Sequence, residues 1–528
     1  MANLSPANDM DARRAARLRW WIVAAAMTGA MLEVLDTTIT SVAVPQMMGN
    51  LGATLSEIGW VTTGYIVSNV IVLPMTGWLS DRFGRKRYFA ASIILFTLAS
   101  ILCAASTSLS ALIFWRVVQG LGGGGLLATG QVILLQAFPE RQRGMATAIF
   151  GMGVMMGPLL GPTLGGYLTD NYSWPAIFWV NVPFGLVSAI LTVMYVPDAD
   201  YDHNAADAPI DIPGIVLLIA GMGSLQTVLE RGQEEDWWSS RMICWLAAVT
   251  VVSLVGFVIR ELRTEHPILD VRLFRLPSLA SGAAFGALLG FSLYGVAFLL
   301  PVFLQTVRGY TAYQAGIIQL APALASTFSF MLAGPLTARY GAWRFLVLGT
   351  FLLGTGTLLL TCFTSVTALE EVLPGLYLRS FSLGFLFIPL TIASLSQLKP
   401  AQMGAGSGII NLTRQLGGSV GIAVLSTLYA RRESFHNDAL CARVDIANVA
   451  RGPWLVHART MMETHGLSAT AAREAAIANL LGLIHRESAV LSFNDLFLVT
   501  ALLSIGMLPL IAALRRAPMT GSVDIAAH

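Results

Sequence analysis

The chain holds 528 residues, 55% of them hydrophobic and only 12% charged, with a formal net charge of +2. A soluble chain carries about 25% charged residues, so this composition cannot cover a water-facing surface of such length. A soluble enzyme, a disordered chain and a nucleic-acid binder are all excluded, and a mean hydropathy of +0.68 points to a bilayer.

From the N-terminus, Arg13, Arg14, Arg17 and Arg19 lead into an apolar run. The run outlasts a signal-peptide core and has no cleavage site, which predicts a retained first helix. A helix needs about 20 apolar residues to cross the hydrocarbon core. Such stretches lie near 20–44, 58–79, 88–106, 109–136, 144–168, 174–196, 212–230, 241–260, 279–306, 313–338, 344–364, 372–396, 403–430 and 490–514. They predict an all-α integral membrane protein of about fourteen transmembrane helices. The 50 glycines and 12 tryptophans fit this, Gly at helix–helix seams and Trp at the interface.

An even number of spans puts both termini on one side. The tails and short loops of that side gather 19 Lys and Arg, whereas the short loops of the other hold three, Arg231, Arg241 and Arg308. Both termini are therefore expected in the cytoplasm. The 198–211 loop runs against the trend, with Asp198, Asp200, Asp202, Asp207 and Asp211 and no Lys or Arg. Acids weigh little in topology, so the assignment stands. The long external segment is 431–487, where the Ala-rich stretch 467–484 suits a short amphipathic helix. Cys103, Cys244, Cys362 and Cys441 are scattered and the seven histidines do not cluster. Neither a disulfide framework nor a metal site is expected. Gly-rich runs lie inside apolar helices with no preceding strand, and no Walker-type Gly-Lys-Ser/Thr occurs, so no nucleotide cofactor is expected.

The sequence repeats itself. Gly77, Leu79, Arg82, Phe83, Gly84 and Arg87 after the second span match Gly334, Leu336, Arg339, Tyr340, Gly341 and Arg344 after the tenth. Arg116 matches Arg379, and Gly144, Thr147 and Gly157 match Gly404, Ser407 and Gly417, all at nearly one offset. The reading is two parallel six-helix halves, 1–197 and 277–528, with 198–276 a linker carrying two inserted helices. Carriers of this plan bind substrate between the halves near the midplane.

The residues also resemble a family. Gly77 to Arg87 is similar to the loop signature of the major facilitator superfamily. Leu35-Asp36-Thr37-Thr38-Ile39, Arg116-Val117-Val118-Gln119-Gly120 and the run from Gly153 to Gly166 resemble motifs of its fourteen-helix drug:proton antiporters. Asn181-Val182-Pro183 and Asn411 to Gly418 extend the likeness over nearly the whole chain, closest to the EmrB-type exporters of Gram-negative inner membranes. The resemblance implies proton-coupled export of hydrophobic or amphiphilic drugs. It also implies a periplasmic membrane-fusion adaptor and an outer-membrane channel as partners, with the 431–487 segment as a docking surface. Pro175 after Trp174, where relatives carry Arg, is a departure.

A charge at the bilayer centre costs roughly 2.5 to 3.5 kcal/mol even on lenient scales, and Glu33, Asp36, Arg116, Arg379 and Arg414 each sit inside a span. Glu33 and Asp36, three apart, share a helix face. Asp36 and Arg116 both lie roughly 10–12 Å below the external boundary, which permits an ion pair. Two carboxyls on one face repel, which suits them to exchange a proton. The competing reading is a static pair that fixes two helices together. Arg379 reads either as a functional cation or as a remnant of duplication bonded to carbonyls. Arg414, Gln119, Asn69, Asn181 and Gln319 are candidates for the substrate cavity or for plain helix–helix bonds. Gly77, Asp81, Arg82, Gly84 and Arg85 read as a conformational latch between the halves or as ordinary positive-inside charge. Ala338 stands where the second copy would repeat Asp81. Gly153, Gly157, Gly161 and Gly165 recur every four residues beside Pro158, Pro162 and Gly166, predicting a close, bendable seam between the halves. A proton-coupled symporter and a non-transporting sensor or channel remain as alternatives.

Overall fold

The structure is a computed structural model that describes residues 6–139, 142–197, 209–265, 267–365, 367–399, 402–443 and 453–516. No strand occurs among them. The long helices are α1 (Leu18–Leu51), α2 (Ser56–Phe83), α3 (Arg85–Ala104), α4 (Leu109–Ala137), α5 (Gly144–Asn171), α6 (Ala176–Tyr195), α7 (Ile212–Arg231), α8 (Arg241–Arg263), α9 (Pro277–Thr306), α10 (Gln314–Tyr340), α11 (Ala342–Cys362) and α12 (Glu370–Leu395). They are followed by α13 (Met403–Arg443) and α14 (Ala469–Leu514). Thirteen of these are long and apolar enough to cross a membrane, and α13 is the exception. Its near-central stretch carries Asn411, Arg414 and Gln415 among small residues because it faces other helices instead of lipid. Counting it gives the expected fourteen.

The repeat is visible in the packing. In the first half α1 packs on α5, α2 on α4, and α3 on α6. In the second half α9 packs on α13, α10 on α12, and α11 on α14, the same pairs eight helices on, six for the repeat and two for the insertion. The sharp turns after α2 and α10 are built alike: Gly84 has φ 83° and Gly341 has φ 87°. A side chain rarely adopts that conformation, so glycine is needed at both. The end of the molecule carrying these turns is called the near end, and the opposite one the far end.

Two expectations change. The 431–487 segment is mostly helix. α13 continues to Arg443, a short helix covers Pro453–Thr464, and the last helix starts at Ala469, not near 490. A helix of 41 residues spans about 60 Å at 1.5 Å per residue. That is about twice the hydrocarbon core, so α13 and α14 project together beyond the far end. Ala-rich sequence such as 469–476 favours helix without needing a core, which joins the expected short helix to the span. In the acidic loop, Asp198, Asp200, Asp202 and Asp207 lie outside the described residues. Asp211 caps α7 by accepting from the Gly214 amide at 3.1 Å and pairs with Arg260 at 2.8 Å. Its charge is thus neutralised within the insertion.

Candidate functional site

Asp36 and Arg116 form the ion pair that their depths allowed. Arg116 Nη1 lies 2.5 Å from Asp36 Oδ2, and both side chains are fully buried. Five helices converge on them. Gln119 of α4 donates to Asp36 Oδ1 at 2.9 Å, and Asn181 of α6 donates to the same oxygen at 2.8 Å. Arg116 Nε donates to the Val61 carbonyl of α2 at 3.2 Å, and its guanidinium lies 4.3 Å from the Tyr65 ring centroid. Ser100 of α3 accepts from Asn181 at 3.1 Å. Gln119 and Asn181 therefore hold Asp36 inside the first half and do not line the space between the halves. A carboxylate with three donors is well compensated, and one donor site remains: Arg116 Nη2 has no partner.

Glu33, one turn nearer the near end, has a different setting. α4 is interrupted: one helix ends at Gly123 and a second starts at Leu126. The break falls in the Gly122–Gly125 run, where bulk is excluded. A Cβ on Gly124 would meet the Asn69 carbonyl at 2.5 Å, and one on Gly122 the Phe96 amide at 2.7 Å. Restarting a helix leaves its first amides without internal partners. Glu33 fills that need: its Oε2 accepts from the Leu127 amide and its Oε1 from Asn69 Nδ2, each at 3.1 Å. A carboxylate at a helix N-terminus also meets the positive end of the helix dipole. Glu33 and Asp36 thus leave one helix face into two separate networks.

Leu127 also borders a cavity of about 50 Å³ between the halves, together with Gln131, Phe150, Met155, Phe330, Phe387, Thr391, Asn411 and Arg414. Arg414 stacks 4.8 Å from the Phe387 ring, bonds Asn411, and lies close enough to Glu33 to attract it. Drug-sized molecules occupy roughly 300 Å³ or more, so admitting one requires the halves to part. Arg379 instead donates to the Leu293 carbonyl at 2.8 Å, as its duplication reading supposes. Gln319 bonds its own helix at Ala315.

The near end is sealed by two contacts that are repeat mates. A Cβ on Gly334 would meet the Gly144 carbonyl at 2.6 Å, and one on Gly77 the Ala405 amide at 2.8 Å, beside Gly404. Above them Gln131 accepts from Ser407 at 3.1 Å, bridging α4 to α13. Gln131 was not among the sequence candidates; its signal was an uncharged amide within an apolar stretch of α4. In the expected latch, Gly77 makes the contact between halves. Arg85 lies 4.0 Å from Asp81 and bonds Gln136, all in the first half, and Arg82 lies 5.8 Å from the Trp78 ring.

The glycine face of α5 differs from expectation. Gly153 sits against Met27, Gly157 against Leu35, Gly161 against Thr38 and Gly165 against Ile39, so the seam joins α5 to α1 within one half. Gly166 meets Val42 at ordinary distance, and α5 is continuous from Arg143 to Asn171. The contact to the other half is made by a different face, Gly144 and Gly151 against Gly334 and Phe330 of α10, and a Cβ on Gly316 would meet Pro162 at 3.6 Å.

Two repeated six-helix halves around a central cavity, sealed at one end and bordered by buried charges, define a carrier of the alternating-access type. The sequence model of the Major Facilitator Superfamily matches residues 26–422, and the chain belongs to that family. It is 35% identical over 477 residues to the multidrug export protein EmrB of Escherichia coli K12, covering 89% of this chain and 90% of that one. It is 37% identical over 443 residues to the probable multidrug resistance protein EmrY of the same organism, covering 81% and 84%. The fatty acid resistance protein FarB of Neisseria gonorrhoeae is 32% identical over 500 residues, covering 93% and 95%. The human organic anion transporter MFSD10 (TETRAN) shares the fold with a TM-score of 0.58 at 15% identity, covering 92% of this chain and 99% of that one.

Proposed function

We propose that the protein exports hydrophobic or amphiphilic drugs and toxic compounds across a bacterial inner membrane in exchange for protons. The observation that carries this reading is the placement of two carboxylates on α1. Asp36 is locked to Arg116 inside the first half, and Glu33 caps the restarted α4 at the cavity wall. Protonating Glu33 turns an acceptor into a donor, weakens its hold on the Leu127 amide and Asn69, and removes a negative charge that attracts Arg414. The cavity wall and the near-end seal are joined through the same half-helix, since Gln131 lies one turn beyond Leu127. A proton at Glu33 therefore acts on the surface that a drug must share. The near end is taken as cytoplasmic, with both termini there, and the far end as periplasmic. In proteoliposomes an imposed proton gradient is expected to drive uptake of a lipophilic drug such as a fluorescent dye substrate, and collapsing the gradient to stop it. Uptake indifferent to the gradient contradicts the exchange.

The same reading extends to a periplasmic adaptor and an outer-membrane channel. The projecting far-end helices support a docking role, since they leave Phe435, Val456, Met461, Leu467, Ile477 and Leu481 exposed beyond the span. Exposed apolar clusters mark interaction sites. Met461 and Met462 line a groove of about 350 Å³ with His457 and His465, and methionines adapt to varied partners. The basic residues are partly used internally: Arg432 pairs with Asp495 at 2.6 Å and Arg459 with Glu463 at 2.7 Å. Leu455 is buried, Arg431 is exposed, and Arg451 and the Trp454 side chain lie outside the described residues. Replacing 444–468 by a short linker is expected to keep transport in proteoliposomes while abolishing resistance in cells and co-purification of the adaptor. Full resistance with wild-type adaptor yield would remove this surface from the account.

A further inference from the structure

The two inserted helices are not equivalent. α8 shows most of its surface to the surroundings, while α7 lies in a seam between the halves. By the repeat, the contact of α13 with α2 is the mate of the contact of α5 with α10. The α5–α10 seam is closed at both ends, by Gly144 with Gly334 and by Pro162 with Gly316. The α2–α13 seam is closed only near Gly77 and Gly408. Toward the far end α7 stands between the two helices and bonds to both. On the α2 side Arg231, almost fully buried and paired with Glu234 just past α7 at 2.6 Å, donates to Ser56 at 2.7 Å and lies 5.1 Å from the Trp60 ring. Its Nη1 occupies the space a Cβ on Gly59 would need, at 2.7 Å, and further along Gly223 meets Ile71 and Val67. On the α13 side the polar contacts are neutral: Gln226 donates to Ser419 at 2.7 Å, and Trp237 just past α7 donates to Thr427 at 3.0 Å. Gln226 donates at the same time to Glu230 at 2.9 Å, a bond along α7 itself and not across to α13.

We propose that α7 is a moving wall of the transport pathway, carried with α2 as part of the first half and sliding against α13 when the far end opens and closes. Withdrawing a buried guanidinium, with the Glu234 carboxylate it carries, from the hydroxyl and aromatic face of α2 is costly, whereas two neutral hydrogen bonds are readily exchanged for others. The division of bonds therefore sets which side of α7 stays fixed. The insertion replaces the far half of one seam with a helix that keeps lipid out of the cleft while the halves rock.

This inference rests on the exporter reading, and cross-linking tests it separately. Cysteine pairs are introduced at Gln226/Ser419 and at Val67/Gly223, with exposed Cys244, Cys362 and Cys441 replaced by serine. Each protein is reconstituted, and proton-driven dye uptake is measured before linkage by a short thiol-cleavable bifunctional thiosulfonate, after it, and after reduction. Uptake before linkage reports on the exporter reading. Linking Gln226→Cys to Ser419→Cys is expected to stop uptake at least tenfold, reversibly, while linking Val67→Cys to Gly223→Cys leaves the rate of that same protein unchanged. If both links stop uptake, if neither does, or if only the α2 link does, α7 does not travel with α2 against α13.

Discussion

Asp36→Asn is expected to lower drug–proton exchange by about 100-fold or more, the scale of losing a contact worth about 3 kcal/mol. The substitution keeps the shape of the side chain but removes the charge facing Arg116 Nη1, at 2.5 Å in the native pair. It also places an amide donor where an acceptor stood, against a guanidinium that already has one unsatisfied nitrogen. Breaking a buried pair from one side costs about 3 to 5 kcal/mol in stability, so loss of transport by itself does not separate coupling from folding. The double variant Asp36→Asn with Arg116→Gln does separate them. It leaves no buried charge unpaired, so its thermal stability in detergent is expected to recover toward wild type while exchange remains lost. A double variant that transports normally would mean that the pair only fastens α1 to α4.

Arg116→Ala is expected to be at least as damaging, and Arg116→Lys to restore a minor fraction of the rate. One guanidinium donates to Asp36, to Gln119 Oε1 at 2.7 Å and to the Val61 carbonyl, and lies 4.3 Å from the centre of the Tyr65 ring. An ammonium is a point charge that can meet the carboxylate but cannot reproduce that set. The alanine variant leaves Asp36 with only neutral donors from Gln119 and Asn181. Exchange rates in proteoliposomes for the three proteins, ranked wild type, lysine, alanine, check this. Equal rates for lysine and wild type would reduce Arg116 to a simple counter-charge.

Much of this arrangement was legible in the sequence. Helices were set by length and hydropathy, and the halves by matched residues such as Gly77 with Gly334 and Gly144 with Gly404. Those four glycines turn out to be the near-end seal, which the repeat marked without saying what they touch. The depths of Asp36 and Arg116 anticipated their pairing because distance along a helix converts directly to height in the membrane. What stayed hidden depends on azimuth and on the backbone. Spacing put Gly153, Gly157, Gly161 and Gly165 on one face of α5 but could not say that α1, and not the other half, lies against it. Gln119 and Asn181 read as lone polar residues because their shared acceptor, Asp36, is on a third helix. The role of Glu33 was illegible for another reason. Its partner is the amide of Leu127, and no side chain announces an amide freed by a break in α4. Glycine runs in a spanning helix signalled packing, and here they also signal that break. Of the helical far-end segment only the Ala-rich part near 467–484 was anticipated; the rest was missed because its two long members support each other.

The central claim is that a proton and a drug compete through the carboxylates of α1. It is tested most directly by adding a lipophilic substrate to concentrated, weakly buffered, detergent-solubilised protein and recording the protons that appear. The wild type is expected to release protons in a saturable way with substrate. Asp36→Asn and Glu33→Gln are expected to release fewer protons at matched substrate occupancy. Substrate binding with no proton release at any pH, or the same release from the variant lacking both carboxylates, would contradict it.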